Sequence, residues 1–397
     1  MKDNPAGKAV GKLPRGSERE LELELERGLD YVRAIAPYQP GKPIEEVARE
    51  LGLEPESIVK LASNENPFGI PESAQRAIVA SLTDAGRYPD GNAFALKSLL
   101  AQRLGVPEEY LTIGSGSNDI LEMTAAALLA PGTSCVYSQY SFAVYAIATQ
   151  ARGARAIVVP ATQGLGHDLD AMARAVDADT RLLYFANPNN PTGTFVEGAK
   201  LEAFLAKIPP QVVVVLDEAY NEYLPPELRY DSLAWVRRYA NVLVCRTFSK
   251  AFGLAGLRVG YGVAQPELGG LLNRVRMPFN VSTAAQAAAC AAVRDEAFLR
   301  RSYEVNREEL LNLTTELQAL GLQVIPSFAN FVLVHVGAAG PIYQELLRRG
   351  VIVRPGANYD LPGWLRITVG LPHENQRFLE ALIAALRTVS SAQAAGK

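Results

Sequence analysis

Short apolar runs recur along the middle of the chain and constrain its fold more than any other feature. Apart from Thr112, these runs contain only apolar residues or glycine, which predicts strands buried on both faces, as in a parallel sheet covered by helices. Helical stretches separate the runs, so we expect βαβ units and an α/β fold with a large, mostly parallel, doubly wound sheet. The predicted strands are 111–113, 135–137, 156–159, 182–185, 212–216, 242–245 and 259–263.

The last third of the chain has a different pattern, and the chain length also argues for a second unit. A chain of 397 residues exceeds the roughly 250–300 residues at which a single core usually stops growing. A charged, leucine-rich helix is predicted at 306–320, and alternating strands follow at 331–336, 351–353 and 365–369. They predict a small mixed sheet, closed by an amphipathic helix around 378–386.

The N-terminal part is expected to lie outside the main sheet. Residues 1–17 are polar and rich in Gly, Pro and Lys, which is typical of disorder, whereas the glutamate-rich segment 18–31 favours a helix over a strand. Three prolines between 37 and 43 exclude a helix interior or a central strand there. The predicted parts are a flexible or helical extension (1–35), an arm with part of the small domain (36–66), a large domain (67–280) and a smaller α+β domain (281–397).

The composition argues against several classes of function. The net charge is −3 and no basic run stands out, so we expect no nucleic-acid partner. Three scattered cysteines and three scattered histidines predict reduced thiols and no metal site. The sequence shows neither the apolar core of a signal peptide nor an apolar run long enough to span a bilayer, so we expect a cytoplasmic protein without membrane contact.

Lys250 is the first candidate for chemistry, because it follows an apolar strand directly. Most lysines are solvated surface charges, but this one lies between the strand 242–245 and a segment rich in Gly, Ala and Leu. In such surroundings a lysine loses its proton more readily, and its amine can then attack an aldehyde. Ser249 and Arg258 beside it could bind a phosphate. Taken alone, the Ser-Lys pair is a weak signal, and a structural lysine explains it better.

Two further polar segments follow predicted strands. Asp217 directly follows the run 212–216, at the strand end where ligands of parallel sheets bind. Its carboxylate could cap a helix or pair with a protonated pyridine nitrogen. Tyr220 follows three residues later. The turn 187–193 contains three asparagines, so besides forming a rigid turn it could offer Asn190 as a hydrogen-bond donor to a ligand.

A glycine-rich loop at 114–118 lies between a strand and a helix. Its glycines leave backbone N–H groups exposed at the start of the helix, which suits a phosphate group. Loops of this kind are common, so the signal is weak alone. The order of the motifs is more specific: phosphate loop, asparagine turn, Asp-x-x-Tyr, Ser-Lys and arginine, each at a strand end.

With these motifs in this order, the chain resembles the fold type I aminotransferases of classes I and II, and within them the histidinol-phosphate aminotransferases. The resemblance runs from about residue 38 to residue 387 and implies a large domain and a small domain around pyridoxal 5′-phosphate. The implied activity is transamination between histidinol phosphate and 2-oxoglutarate in histidine biosynthesis. The matching segments are 37–42, 61–67, 87–90, 190–193, 217–220 and 248–258.

The resemblance implies a role for each residue near the cofactor. Lys250 would form a Schiff base with it and later carry a proton from the donor Cα to C4′ of the cofactor. Asp217 would keep the pyridine nitrogen protonated, and Asn190 and Tyr220 would bind the ring oxygen O3′. Phe142 would stack on the ring. The implied phosphate ligands are Ser117, Asn118, Ser249 and Arg258.

The resemblance also implies a partner subunit and a substrate subsite. Tyr88 matches a tyrosine that reaches the cofactor phosphate of the neighbouring subunit, which implies a homodimer with shared active sites. Arg366 matches the carboxylate-binding arginine, whose planar guanidinium can hold a carboxylate through two parallel hydrogen bonds. Tyr38, Asn64 and Arg377 match positions on the substrate side. The expected small-molecule partners are an amino donor and a 2-oxo acid acceptor.

Several alternatives share parts of this pattern. An aromatic amino acid aminotransferase would use the same cofactor residues, as would an enzyme that decarboxylates a phosphorylated amino acid. A non-catalytic regulator would need a basic DNA-binding domain upstream, yet only about forty mainly acidic residues precede the resemblance. A nucleotide-binding Rossmann protein would need the G-x-G-x-x-G pattern after Gly114, and it would leave Lys250 unexplained.

Overall fold

The computed structural model describes residues 28–395, and twelve strands of this part of the chain form two sheets. The strands are β1 (Val59–Leu61), β2 (Leu111–Gly114), β3 (Ser134–Ser138), β4 (Arg155–Val159), β5 (Thr180–Ala186), β6 (Val213–Asp217), β7 (Val242–Thr247), β8 (Gly260–Val263), β9 (Gln323–Ile325), β10 (Phe331–His335), β11 (Val351–Pro355) and β12 (Trp364–Thr368). Seven belong to a larger sheet and five to a smaller one.

The larger sheet has the strand order β2-β8-β7-β6-β5-β3-β4. Within the described chain, β8 pairs antiparallel with both its neighbours, and the remaining pairs of this sheet are parallel. Because β8 is flanked by two antiparallel pairings, β2 and β7 point the same way. The structure therefore confirms the predicted α/β fold with a mostly parallel sheet.

Both faces of the larger sheet are covered along its central strands, as the all-apolar runs predicted, but the prediction is wrong for the edge strand β4, in which only Val159 is buried. Alternate residues of one strand enter two different cores: Val214 and Leu216 pack in one, Val213 and Val215 in the other. The helices of the described chain are α1 (Asp30–Arg33), α2 (Ile44–Leu51), α3 (Glu72–Ser81), α4 (Phe94–Leu104), α5 (Ser117–Leu128), α6 (Ala143–Gln150), α7 (Leu169–Arg174), α8 (Gly198–Leu205), α9 (Ser232–Arg238), α10 (Pro266–Val275), α11 (Thr283–Arg294), α12 (Glu296–Ala319), α13 (Ala339–Arg348) and α14 (Pro372–Ala395).

The smaller sheet is mixed and has the order β1-β11-β12-β10-β9. β1 pairs parallel with β11, and the other pairs are antiparallel. The sequence predicted three of these strands and missed β1 and β9, which have three residues each and are too short to show a period. Through β1, the segment that follows the N-terminal arm joins a sheet formed otherwise by the C-terminal third.

The packing of α11 bears on where the division between the two units lies. The prediction placed residues 281–397 in the small domain, but α11 packs against α3 and α4. Its buried alanines, among them Ala285 and Ala289, belong to the core of the larger sheet. Their small side chains allow the close approach of these helices. We therefore propose a boundary after Arg294 instead of at residue 280.

The N-terminal predictions are only partly covered by the structure. Residues 1–17 and most of the predicted helix 18–31 lie outside the described part of the chain. The described segment begins with the short helix α1 and continues without regular structure from 35 to 43, where the prolines stand. Within residues 28–395, each helix is too short or too polar to cross a lipid bilayer.

Candidate active site

The carboxyl ends of the parallel strands bring the predicted segments to one edge of the larger sheet. β5 ends just before the asparagine turn, β6 ends at Asp217, and β7 ends three residues before Lys250. Ligands of open α/β sheets bind at this edge. A cavity of about 220 Å³ opens there, and the arm and the smaller sheet complete its walls. The predicted residues that line it are Tyr38, Asn64, Ser117, Asn118, Phe142, Asn190, Asp217, Tyr220, Ser249, Lys250, Arg258 and Arg366.

Lys250 projects into this cavity and is partly buried. Its Nζ donates a hydrogen bond to the backbone carbonyl of Ser63 at 3.1 Å and lies 5.8 Å from the centre of the Tyr220 ring. Burial and the positive charge of Arg366 together lower the pKa of Lys250 to about 8. A minor fraction of this amine, far larger than for a surface lysine, is therefore neutral near physiological pH and available as a nucleophile or base.

Asp217 lies at the end of β6 and is almost completely buried. Tyr145 donates a hydrogen bond to its Oδ2 at 2.8 Å, and the Ala219 N–H donates to its Oδ1 at 3.2 Å. Burial raises the pKa of Asp217 to about 6, and these two hydrogen bonds oppose the rise. The carboxyl group is therefore mostly ionised at neutral pH, although it is only 5% exposed.

Groups that suit an anion meet at the start of α5. Gly116, with φ 79°, precedes Ser117 and leaves the first N–H groups of the helix exposed. Arg258, itself at φ 56°, extends over this glycine and donates to Ser249 Oγ at 3.0 Å. A Cβ atom at Gly116 would collide with the Arg258 guanidinium, so only glycine permits this approach. The arrangement forms a cup for a phosphate group.

Tyr220 and Asn64 form a hydrogen-bonded link across the cavity floor. Asn64 Nδ2 donates to the Tyr220 hydroxyl oxygen at 2.9 Å, so the hydroxyl proton is free to point to another acceptor. The backbone N–H of Asn64 donates to Thr368 Oγ1 at 2.9 Å. Asn64 therefore connects the smaller sheet, through Thr368, to a tyrosine that follows a strand of the larger sheet.

Two buried arginines form the wall opposite Lys250. Arg366 donates to Asn190 Oδ1 at 2.5 Å and to the carbonyl of Ala62 at 2.8 Å, which are both neutral acceptors. Arg354 is its direct partner across the β11–β12 pair. Arg354 is only 4% exposed and Arg366 only 5%, and within the described chain the Nε atoms of both lack a hydrogen-bond partner. Two buried guanidinium groups without a charged partner are costly, which favours an anionic ligand here.

Two predicted site residues do not line this cavity. Tyr88 is 82% exposed and stacks on Phe279, with ring centres 4.6 Å apart. Arg377 is exposed on α14, and its guanidinium points to the carbonyl of Arg349 at 3.5 Å. The second turn of α14 directs this side chain to the loop between α13 and β11, so the structure does not place Arg377 with the other substrate-side residues.

Sequence reasoning missed Arg354, Tyr145 and Tyr359, which all line the cavity. The predicted strand 351–353 stopped one residue before Arg354, although a charged residue at the end of an apolar run was the same signal that identified Asp217. Tyr145 lies within an apolar helix and was indistinguishable from a core residue. No signal in the sequence marks Tyr359.

The residues present fit the pyridoxal 5′-phosphate that the resemblance implies. The cup formed by Ser117, Ser249 and Arg258 suits the phosphate, and Lys250 offers a partly neutral amine for the aldehyde. Asp217 is a buried carboxylate that a protonated ring nitrogen would neutralise. Phe142 lines the cavity close to Tyr145, with ring centres 6.0 Å apart, and presents an aromatic face to a ring.

Comparison with known proteins gives concordant matches. Residues 56–382 match the family model described as aminotransferase class I and II. The chain is 60% identical over 385 residues to histidinol-phosphate aminotransferase 1 of Cupriavidus pinatubonensis, which covers 96% of this chain and 99% of that protein. It is 60% identical over 374 residues to histidinol-phosphate aminotransferase 2 of Ralstonia nicotianae, covering 93% and 100%. Among solved structures, it resembles histidinol-phosphate aminotransferase from Sinorhizobium meliloti in complex with pyridoxal-5′-phosphate, with a TM-score of 0.83 and 27% identity over 91% of this chain and 98% of that one.

Proposed function

Because the chain belongs to the aminotransferase class I and II family, we propose that it transfers an amino group from histidinol phosphate to 2-oxoglutarate with pyridoxal 5′-phosphate as cofactor. Relatives at 60% identity over nearly the whole chain carry the name of this activity. When bound, the cofactor supplies an aldehyde for the amino group and a protonated ring that spreads the negative charge formed at the donor Cα. The side chains of this protein position the reactants and move the protons.

Lys250 is the residue that carries the transferred proton. Its amine is partly neutral at physiological pH, so it can accept a proton from the donor Cα and then deliver that proton to C4′ of the cofactor. Asp217 holds the proton on the pyridine nitrogen through its buried negative charge. The free hydroxyl proton of Tyr220 and the Asn190 amide are oriented to donate to the ring oxygen, because Asn64 and Arg366 occupy their other sides.

The observation that carries the substrate assignment is the arginine pair 354 and 366. Two adjacent guanidinium groups can share a doubly charged phosphate, and in the other half-reaction Arg366 can hold a carboxylate of glutamate through two parallel hydrogen bonds. The aromatic rings of Tyr38 and Tyr359 lie 5.6 and 5.8 Å from the Arg354 guanidinium and can flank a flat imidazole. The same walls suit an aromatic amino acid, which is the alternative donor.

A panel of single-turnover half-reactions tests which amino donor the enzyme prefers. The protein loaded with cofactor is mixed separately with histidinol phosphate, histidinol, phenylalanine and tyrosine, and the absorbance of the bound cofactor is followed. We expect histidinol phosphate to react fastest, and histidinol to react slowly because it lacks the phosphate. Faster conversion of phenylalanine or tyrosine would instead identify an aromatic aminotransferase. A separate incubation with a phosphorylated amino acid tests the decarboxylase alternative, which release of carbon dioxide would identify.

We further propose that the enzyme is a homodimer whose subunits share active sites. Tyr88 is 82% exposed and forms an apolar patch with Phe279 and Met277, which are 45% and 69% exposed. Exposed aromatic patches of this kind often mark protein interfaces. Tyr88 does not line the cavity of its own subunit, which supports the implied role at the cofactor phosphate of a neighbouring subunit.

Hybrid dimers test this sharing. Lys250→Ala chains and Tyr88→Phe chains are coexpressed with different tags, and the doubly tagged dimer is assayed at limiting cofactor. If Tyr88 acts across the interface, one of the two sites of each hybrid has both residues, and the purified hybrid should reach about half of wild-type activity. The affinity of that site for the cofactor should equal the wild-type value. If Tyr88 acts within its own subunit, the hybrid will show no more than the average of the two parents.

We place the enzyme in the cytoplasm as part of the same proposal. Cys135, Cys245 and Cys290 are free thiols in the structure. Free thiols are typical of proteins that work in a reducing compartment.

A further inference from the structure

Tyr145 contacts Asp217 from the helix that follows β3. Its hydroxyl donates to Asp217 Oδ2 at 2.8 Å, and both residues are nearly inaccessible to solvent. Among the described residues, Tyr145 is the one side chain that hydrogen-bonds to this carboxylate. A charge-assisted hydrogen bond in a buried site is stronger than an ordinary one, and it fixes the direction of the acceptor.

The phenol ring of Tyr145 is held by packing that does not depend on Asp217. It stacks on Tyr184 with ring centres 4.6 Å apart and an angle of 8° between the ring planes. Phe142 meets its edge at 6.0 Å and 88°. The Tyr184 hydroxyl donates to the backbone carbonyl of Leu121 at 2.9 Å, which fixes the second ring in turn. The hydroxyl of Tyr145 is therefore a donor in a preset position.

We propose that Tyr145 is a positioning residue, whose hydroxyl keeps the Asp217 carboxylate ionised and aimed at the pyridine nitrogen of the cofactor. This inference rests on the proposed function, because it assigns Asp217 to the ring nitrogen. The role goes beyond packing, since the hydroxyl donates to the carboxylate oxygen and the ring alone would fill the same space.

The charges around Asp217 explain why such a donor is needed. Burial raises the pKa of Asp217 to about 6, and the neighbouring negative charge of Glu218 acts in the same direction. Arg246 offsets part of that charge through an ion pair with Glu218 at 2.8 Å. Three groups act in the opposite direction and lower the pKa of Asp217: the Tyr145 hydroxyl, the Ala219 N–H and the positive charge of Lys250.

Two further titratable groups face Asp217. Cys245 is its partner in the β6–β7 pair, and Tyr220 lies three residues along the chain. Burial raises the pKa of both groups, so both are neutral near pH 7. Neither stabilises the Asp217 charge as a cation would. Without the Tyr145 hydroxyl, protonation of Asp217 therefore shifts to higher pH, toward neutrality.

Tyr145→Phe and Tyr184→Phe form a matched pair for the test. Each variant removes one buried hydroxyl from the same stack of rings, but only the first hydroxyl contacts Asp217. The measurement is the dissociation constant of pyridoxamine 5′-phosphate as a function of pH, obtained by fluorescence titration of the cofactor-free protein. Because the pyridinium needs an ionised Asp217, binding should be tight above the pKa of Asp217 and weaken as the pH falls through it.

In Tyr145→Phe, we expect the pH midpoint of this weakening to rise by about one unit. Below both midpoints, the variant should bind pyridoxamine 5′-phosphate about tenfold more weakly than the wild-type protein does. Tyr184→Phe should keep the wild-type midpoint. In an Asp217→Asn background, Tyr145→Phe should no longer change the pH profile. Equal midpoints for Tyr145→Phe and Tyr184→Phe would overturn the positioning role while leaving the proposed function intact. Failure of the wild-type protein to bind the probe would overturn both.

A second substitution covers the case in which Tyr145→Phe does not fold. Incorporation of 3,5-difluorotyrosine at position 145 leaves the ring in place and makes the hydroxyl a stronger donor. For this protein we expect the opposite shift, with the pH midpoint of probe binding lower than in the wild-type protein. An unchanged or raised midpoint in this protein would contradict the inference.

Discussion

Lys250→Ala is expected to abolish transamination, with a loss of at least about 10⁴-fold in turnover, because one amine serves both as nucleophile and as proton carrier. Burial and the charge of Arg366 lower the pKa of Lys250, and a surface lysine lacks this preparation. Steady-state turnover with histidinol phosphate measures the loss. Borohydride reduction followed by peptide mass spectrometry should place the cofactor on Lys250 in the wild-type protein.

Two controls separate chemistry from folding. Lys250→Arg keeps a positive charge at the site but cannot attack the aldehyde, so it should be as inactive as the alanine variant. Lys207→Ala removes an exposed lysine that pairs with Asp170 at 2.8 Å, and its activity should stay at the wild-type level. Turnover and cofactor labelling that survive in Lys250→Ala would assign the nucleophile to another residue.

Arg366→Ala is expected to slow the reaction with glutamate far more than it weakens binding of the cofactor. The guanidinium is 5% exposed, and truncation of a buried charged partner typically costs about 2–5 kcal/mol, or about 30- to 4,000-fold in kcat/KM. Cofactor affinity should fall only slightly, because the Asn190 amide loses a neighbour but keeps its place in the turn. Single-turnover rates with glutamate and equilibrium binding of the cofactor measure the two effects.

Arg366→Lys and Arg354→Ala sharpen this experiment. The lysine keeps the charge but not the paired donors, so it should recover only part of the glutamate reaction. Arg354→Ala should reduce the preference for histidinol phosphate over histidinol, since one of the two guanidinium groups facing the phosphate is lost. Glutamate kinetics that do not change in Arg366→Ala would remove this residue from the carboxylate subsite.

The sequence was sufficient for residues at strand ends of the larger sheet. Lys250, Asp217 and the asparagine turn each follow an apolar run, and parallel strands deliver their carboxyl ends to one edge. Their convergence therefore follows from fold class alone. The fold itself was predictable for the same reason, because strands buried on both faces leave a clear apolar signature.

The remaining parts of the site depend on contacts between distant segments, which no local pattern reveals. Tyr145 reaches an acceptor 72 residues away through the packing of one helix on one strand. Arg354 joins the site because β11 pairs with β12 in a particular register. Arg377 illustrates the reverse case: the resemblance implied a position on the substrate side, but its helix directs the side chain to the Arg349 carbonyl.

The arginine pair also has a consequence for how this enzyme can change over evolutionary time. Arg354 and Arg366 belong to the smaller sheet, whereas Asp217 ends a strand of the larger sheet and Lys250 follows another of its strands. Replacement of a side chain at 354 leaves strand register intact, but a one-residue insertion within β11 would turn that position to the opposite face. Position 366 is less free because it hydrogen-bonds to Asn190. Adaptation to a new amino donor should therefore begin with point substitutions at 354, while the catalytic chemistry is inherited unchanged.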